Sequence, residues 1–158
     1  MSDPAPHLAS TRTGPEAQAL AERVAAAMWA RDVASQALGM RLVRVGPGHA
    51  ELAMTVRADM LNGHAICHGG FIFTLCDSAF AYACNSYNLN TVASGCSIDF
   101  LAPAREGDVL TAIAQEMSVT GRTGVYDIAV VDGRVERIAL VRGKSYRIKG
   151  HVIDAPQD

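Results

Sequence analysis

Between residues 15 and 39 the apolar positions Leu20, Val24, Ala27 and Met28 recur at helical spacing. Thr13 and Gly14 offer cap positions, Pro15 suits a first turn, Glu16 favours the positive dipole end, and Gly39 is a terminator. The pattern then changes period. Met40–Val45 is β-rich, Gly46-Pro47-Gly48 forms a turn, and Ala50, Leu52, Met54 and Val56 alternate with His49, Glu51, Ala53 and Thr55. That predicts a hairpin with one buried face. Residues 57–68 read as an irregular loop around the Asn62-Gly63 turn signal. From Gly69 to Cys84 the chain is apolar on nearly every side and rich in alanine, which predicts a helix enclosed by other structure. Four more β-like runs follow at 91–101, 108–119, 123–131 and 135–148. Short connections make these strands antiparallel, and one long apolar helix satisfies one sheet if the sheet curls around it. The fold class is therefore α+β, with an antiparallel sheet wrapped around a central helix.

Composition narrows the possibilities. With 158 residues, 49% of them hydrophobic, the chain has material for one core. Residues 1–14 are expected as a tail, 15–150 as a single domain and 151–158 as a second tail. A net charge of −2 without a basic stripe argues against nucleic acid as partner. The N-terminus shows no basic start followed by an apolar run, and no stretch of about 18 apolar residues occurs, so neither a signal peptide nor a membrane span is expected. Cys67, Cys76, Cys84 and Cys96 form no Cys-x-x-Cys pair. The expectation is a reduced, cytoplasmic protein.

Asp77 is the residue that needs a reason. Apart from Asp99 it is the lone charge between His68 and Arg105, mid-way along a helix that should be buried. An ionised carboxylate there is costly unless it is hydrogen-bonded, for example through Ser78 or Thr74, or placed in a cleft. His68-Gly69-Gly70 leads into the same helix, so free N–H groups at its positive end suit an oxyanion or a polarised carbonyl. Eight residues separate Gly69 from Asp77, about 12 Å along a helix axis, and a reacting carbonyl must sit about 3 Å from each set of groups. One chain does not comfortably supply both. Two antiparallel copies of the helix about a two-fold axis do, which predicts a homodimer with two composite sites.

The motifs that carry this chemistry are Asn62-Gly-His-Ala-Ile-Cys-His68-Gly69-Gly70 and Leu75-Cys-Asp77-Ser-Ala-Phe80-Ala-Tyr-Ala-Cys-Asn85. With Ser97-Ile-Asp99-Phe100-Leu101-Ala-Pro103-Ala104, Thr123-Gly-Val-Tyr-Asp127 and Arg142-Gly-Lys144-Ser, the chain over roughly residues 15–149 resembles the phenylacetate-degradation (PaaI-type) hotdog thioesterases. The resemblance implies a hotdog fold, a dimer of dimers, and hydrolysis of acyl-CoA esters, phenylacetyl-CoA or ring-hydroxylated phenylacetyl-CoA among them. It implies no metal and no bound cofactor, coenzyme A entering as part of the substrate. It further implies that Gly69 donates its N–H to the thioester carbonyl and that Asp77 of the partner subunit is nucleophile or general base. Asn62, His68 and Gly70 then orient substrate or water. Some relatives carry a hydroxyl on the strand after the helix, for which Thr91, Ser94 and Ser97 are available and Ser94 is the candidate taken.

Other signals are weaker. His64, Cys67 and His68 cluster, but zinc wants three or four placed ligands and no second group matches. Between Arg134 and Lys149 six basic residues face the single acid Glu136; a solvated strand face is the plain account, and Arg142 or Lys144 on CoA phosphates the sharper one. Phe71, Phe73 and Tyr82 suit either an aryl pocket or the core. Two rival readings are a hotdog acyl-thioester dehydratase using His68 and Asp77, and a non-catalytic acyl-CoA binding module.

Overall fold

A computed structural model describes residues 12–154. Its first helical stretch is two helices, α1 (Pro15–Trp29) and α2 (Val33–Ala37), rather than one. Asp32 makes the break: its carboxylate accepts the Ser35 N–H at 3.0 Å as the N-cap of α2 and the Tyr82 hydroxyl at 3.0 Å. Gly39, at φ +69°, ends the segment in the left-handed conformation expected of a terminator.

Strands β1 (Arg41–Gly46) and β2 (His49–Thr55) form the predicted hairpin across Pro47-Gly48. A single 3-10 turn, Ala58–Met60, interrupts the loop before the central helix α3 (Gly69–Asn85). Strands β3 (Thr91–Phe100), β4 (Val109–Thr120), β5 (Thr123–Val131) and β6 (Arg137–Arg147) complete a six-stranded antiparallel sheet in the order β1-β2-β4-β5-β6-β3. This is the hotdog arrangement: the sheet curls around α3.

Alternation in the strands meets the apolar helix. Leu52 and Met54 of β2, Leu110 and Ala112 of β4 and Ile128 of β5 are fully buried in one cluster with Leu75, Cys76, Ala79 and Phe80 of α3. Burying each large side chain contributes about 1.5–3 kcal/mol. The helix lies so close to β6 that a Cβ on Gly143 would come within 2.8–3.0 Å of three atoms of the Phe80 ring.

Strand β3 breaks the pattern. Among the described residues it pairs only with β6, so its other edge carries no ladder partner there, and Val92–Ser97 are all exposed. An unpaired edge ten residues long is a template for another strand.

Both expected tails begin inside the fold. Arg12 bonds Glu116 at 3.2 Å with its guanidinium 4.6 Å from the Tyr87 ring centre, and Ile153 exchanges two hydrogen bonds with the Asn88 side chain. The remaining tail positions, 1–11 and 155–158, lie outside the described residues. Among the described residues no helix is long and apolar enough to cross a membrane.

Candidate active site

The N-terminus of α3 is built by the loop before it. Asn62 accepts the His64 N–H at 2.9 Å and the Ile66 N–H at 3.4 Å on its side-chain oxygen, and its own N–H bonds the Ile66 carbonyl at 2.8 Å. Asn62 therefore shapes the loop, with Ala65 at φ +56° closing it. The chain returns through Cys67, whose N–H reaches the Ala104 carbonyl, and His68, whose N–H reaches that of Met60, both at 2.8 Å.

His68 is the N-cap of α3, and its Nδ1 accepts the Gly70 N–H at 2.9 Å. Accepting at Nδ1 places the neutral ring's proton on Nε2. A Cβ on Gly70 would lie 3.0 Å from that Nδ1, so glycine lets the imidazole close over the backbone. The Gly70 N–H, expected to help orient substrate, is taken by His68 in this chain. The Gly69 N–H is the donor left over, making no hydrogen bond among the described residues and standing at the positive end of a 17-residue helix.

Gly69 is not at positive φ, so the helix itself does not require glycine there. The reason is close approach. A Cβ at Gly69 would lie 2.7 Å from Cζ of Phe100, the last residue of β3. In the sequence Phe100 stands out only as part of the Ser97–Ala104 motif, and a glycine at the first position of a helix is the one local sign that something packs close there.

Asp77 departs from expectation in its burial. It sits on the α3 face that the sheet leaves open and is exposed in the single chain. Neither proposed brace reaches it: Thr74 donates to the Gly70 carbonyl at 2.8 Å, and the Ser78 hydroxyl pairs with that of Ser35 at 2.9 Å. The carboxylate has no hydrogen bond or ion pair among the described residues. Partial desolvation nonetheless raises its pKa above the ordinary carboxylate value. Its charge in turn helps burial to raise the thiols of Cys76, up to about 12, and of Cys96 on β3. The Asp77 charge thus reaches the edge strand β3, where Cys96, Ile98 and Phe100 stand opposite Gly143, Val141 and Ala139 of β6.

The remaining candidates separate from this centre. Ser94 sits at a bulge in β3 and donates to the Lys144 carbonyl at 3.1 Å, bracing the ladder. Arg142 clasps Asp127 with two bonds of 2.7 and 2.8 Å on the outer face of the sheet, and Lys144 shares that face, so the structure does not bring either to Gly69. Tyr82 is buried with its hydroxyl on Asp32, which makes it core, while Phe71 and Phe73 remain half-buried near the N-terminus of α3. His64 and His68 are exposed while Cys67 is buried, and among the described residues no three His, Cys, Asp or Glu side chains gather as a metal set.

Residues 64–139 match the family model described as the thioesterase superfamily. The chain is 52% identical over 126 residues to the acyl-coenzyme A thioesterase PaaI of Escherichia coli K12, covering 80% of this chain and 90% of that protein. The solved structure of E. coli PaaI, from the phenylacetic acid degradation operon, superposes with a TM-score of 0.84 at 50% identity, over 85% of this chain and 97% of that one. A Streptococcus mutans UA159 protein solved bound to acetyl CoA gives a TM-score of 0.69 at 25% identity, over 71% of this chain and 90% of its own.

Proposed function

The chain belongs to the thioesterase superfamily, and from that membership we propose that it hydrolyses aryl-type acyl-CoA esters such as phenylacetyl-CoA and its ring-hydroxylated forms, releasing the free acid and CoA. The observation that carries the site is the unpartnered Asp77 carboxylate beside the unpaired edge β3, with the open Gly69 N–H eight residues away on the same helix.

Eight residues of helix separate these groups by about 12 Å, too far for one thioester carbon. Pairing β3 with β3 of a second copy supplies the missing group, so the working unit is a homodimer with two composite sites. The further pairing into a dimer of dimers rests on the resemblance alone.

In each site the Gly69 N–H donates to the thioester oxygen as negative charge develops on it, helped by the helix dipole. Asp77 of the partner subunit takes a proton from water as the water oxygen bonds to the carbonyl carbon. The tetrahedral intermediate then collapses, the C–S bond breaks, and CoA leaves as a thiolate that takes the proton back from Asp77, restoring the carboxylate. A carboxylate with a raised pKa is the stronger base for this step. Direct attack by the Asp77 carboxylate, giving an anhydride that water then opens, uses the same placement. His68 holds the helix terminus through Gly70, and Asn62 shapes the loop that carries it. The reaction needs no metal or resident cofactor, and a CoA substrate with four free cysteines fits a cytoplasmic enzyme.

The thioesterase relatives favour hydrolysis over dehydration, and the unpartnered Asp77 carboxylate favours turnover over binding alone. A free-thiol release assay across phenylacetyl-, hydroxyphenylacetyl- and straight-chain acyl-CoA tests the proposal. Turnover highest with the aryl esters is expected; no thiol release from any ester, or a clear preference for straight chains, overturns it.

A further inference from the structure

We propose that Phe100 is a positioning residue for the Gly69 donor and, through the same contact, selects acyl groups that carry an aromatic ring one carbon from the carbonyl. This rests on the thioesterase reading and deepens it. The ring of Phe100 meets Gly69 end-on: a Cβ there would lie 2.7 Å from Cζ, 3.1 Å from Cε1 and 3.3 Å from Cε2. The first is a distance that a real Cβ essentially never shows and the other two are tighter than most real contacts, so the ring tip packs close against Gly69.

Two consequences follow from that contact. First, the ring fixes where the first peptide of α3 sits and shields one side of its N–H from water. A preorganised, desolvated donor holds developing charge more strongly than a hydrated one. Second, Phe100 remains 53% exposed in this chain, so much of its ring is left uncovered beside the Gly69 donor. The α-carbon is about 1.5 Å from its own nitrogen. A carbonyl oxygen held on the Gly69 N–H therefore brings the first atoms of the acyl group alongside the Phe100 ring. An aromatic group attached one carbon further out meets that ring in the offset or edge-on geometry that aromatic pairs favour. A short aliphatic acyl group has nothing to place there.

The position of Phe100 in the chain is consistent with this role. It ends β3 opposite Ala139, immediately before the Leu101-Ala102 segment bonds the Ile138 carbonyl and the strand ceases. The backbone is thus held by β6 while the ring reaches Gly69. Phe71, in edge contact with His68 at 6.3 Å between ring centres, extends the aromatic surface on the helix side.

The test compares Phe100→Leu and Phe100→Ala with wild type on phenylacetyl-CoA and butyryl-CoA, and adds Gly69→Ala with and without Phe100→Ala. Phe100→Ala should lower kcat/KM for phenylacetyl-CoA about tenfold more than for butyryl-CoA, with Phe100→Leu intermediate. Gly69→Ala should lower kcat about 100-fold by pushing the donor off its position. Phe100→Ala introduced into Gly69→Ala should restore at least tenfold of that, because the obstructing ring is gone. A rescue of this kind is not expected from a residue that merely stabilises the fold. If wild type is active but the selectivity ratio is unchanged and no rescue occurs, the role of Phe100 is refuted while the thioesterase reading stands. If wild type releases no thiol, the reading fails in the parent enzyme and the inference falls with it.

Discussion

Replacing Asp77 with asparagine removes a carboxylate while keeping its shape. The side chain is exposed in the single chain and has no hydrogen bond or ion pair among the described residues, so the fold loses nothing it depends on. A substitution of this kind changes stability by no more than about 0.5 kcal/mol. For a chain of 158 residues that moves Tm by about 2 °C or less. The effect on chemistry is of another order. Removing a positioned general base costs about 10²–10⁴ in rate, or about 2.7–5.4 kcal/mol of barrier. The assay is thiol release from phenylacetyl-CoA beside a thermal melt of the same preparation. Retained turnover refutes the catalytic role, and a fall of several degrees in Tm with proportionate loss of activity shows a structural one instead.

Two further outcomes follow from the same structure. Because desolvation raises the Asp77 pKa and the base must be ionised, kcat/KM should fall on acidification with a midpoint above the ordinary carboxylate value of about 3.9; a pH–rate profile with its acid limb at or below that value contradicts this. The stability sign is opposite: with its folded pKa raised, wild-type Asp77 favours folding at low pH and loses that contribution as pH rises through the folded pKa. In the core, Gly143→Ala drives a methyl to within 2.8–3.0 Å of the Phe80 ring and should cost about 1–3 kcal/mol, read by urea unfolding; an unchanged midpoint shows that Phe80 has room to move.

Local patterns carried much of the fold. Alternation at Ala50, Leu52, Met54 and Val56 located β2 and its buried face, and the span of α3 differs from the expected Gly69–Cys84 by one residue. The break between α1 and α2 escaped because Asp32 lies in an alanine-rich stretch, where its capping bond and its bond to Tyr82 are visible only in three dimensions. Strand order escaped for a related reason. Nothing local distinguishes β3, which pairs with the last strand rather than a neighbour in sequence, from the others.

The site shows the same division. His68, Gly69 and Asp77 were legible because a glycine pair entering an apolar helix and a lone acid within it both demand explanation. The exposure of Asp77 was not, since an apolar helix face looks alike in sequence whether or not the sheet covers it. Gly70 and Gly69 looked equivalent, yet the His68 imidazole takes one N–H and leaves the other. Phe100 lies 31 residues from Gly69 in sequence, and only the register of β3 on β6 brings its ring to that glycine.

The composite site is tested most directly by mixing two inactive variants. Asp77→Asn and Gly69→Ala each abolish both sites of a homodimer. If each site joins Asp77 of one protomer to Gly69 of the other, a mixed dimer has one site with both defects and one with neither. Equal co-expression with random pairing makes half the dimers mixed, so activity should return to roughly a quarter of wild type. If both groups serve a site within one chain, every site in the mixed dimer carries a defect. Activity that stays at the level of the separate variants contradicts the account.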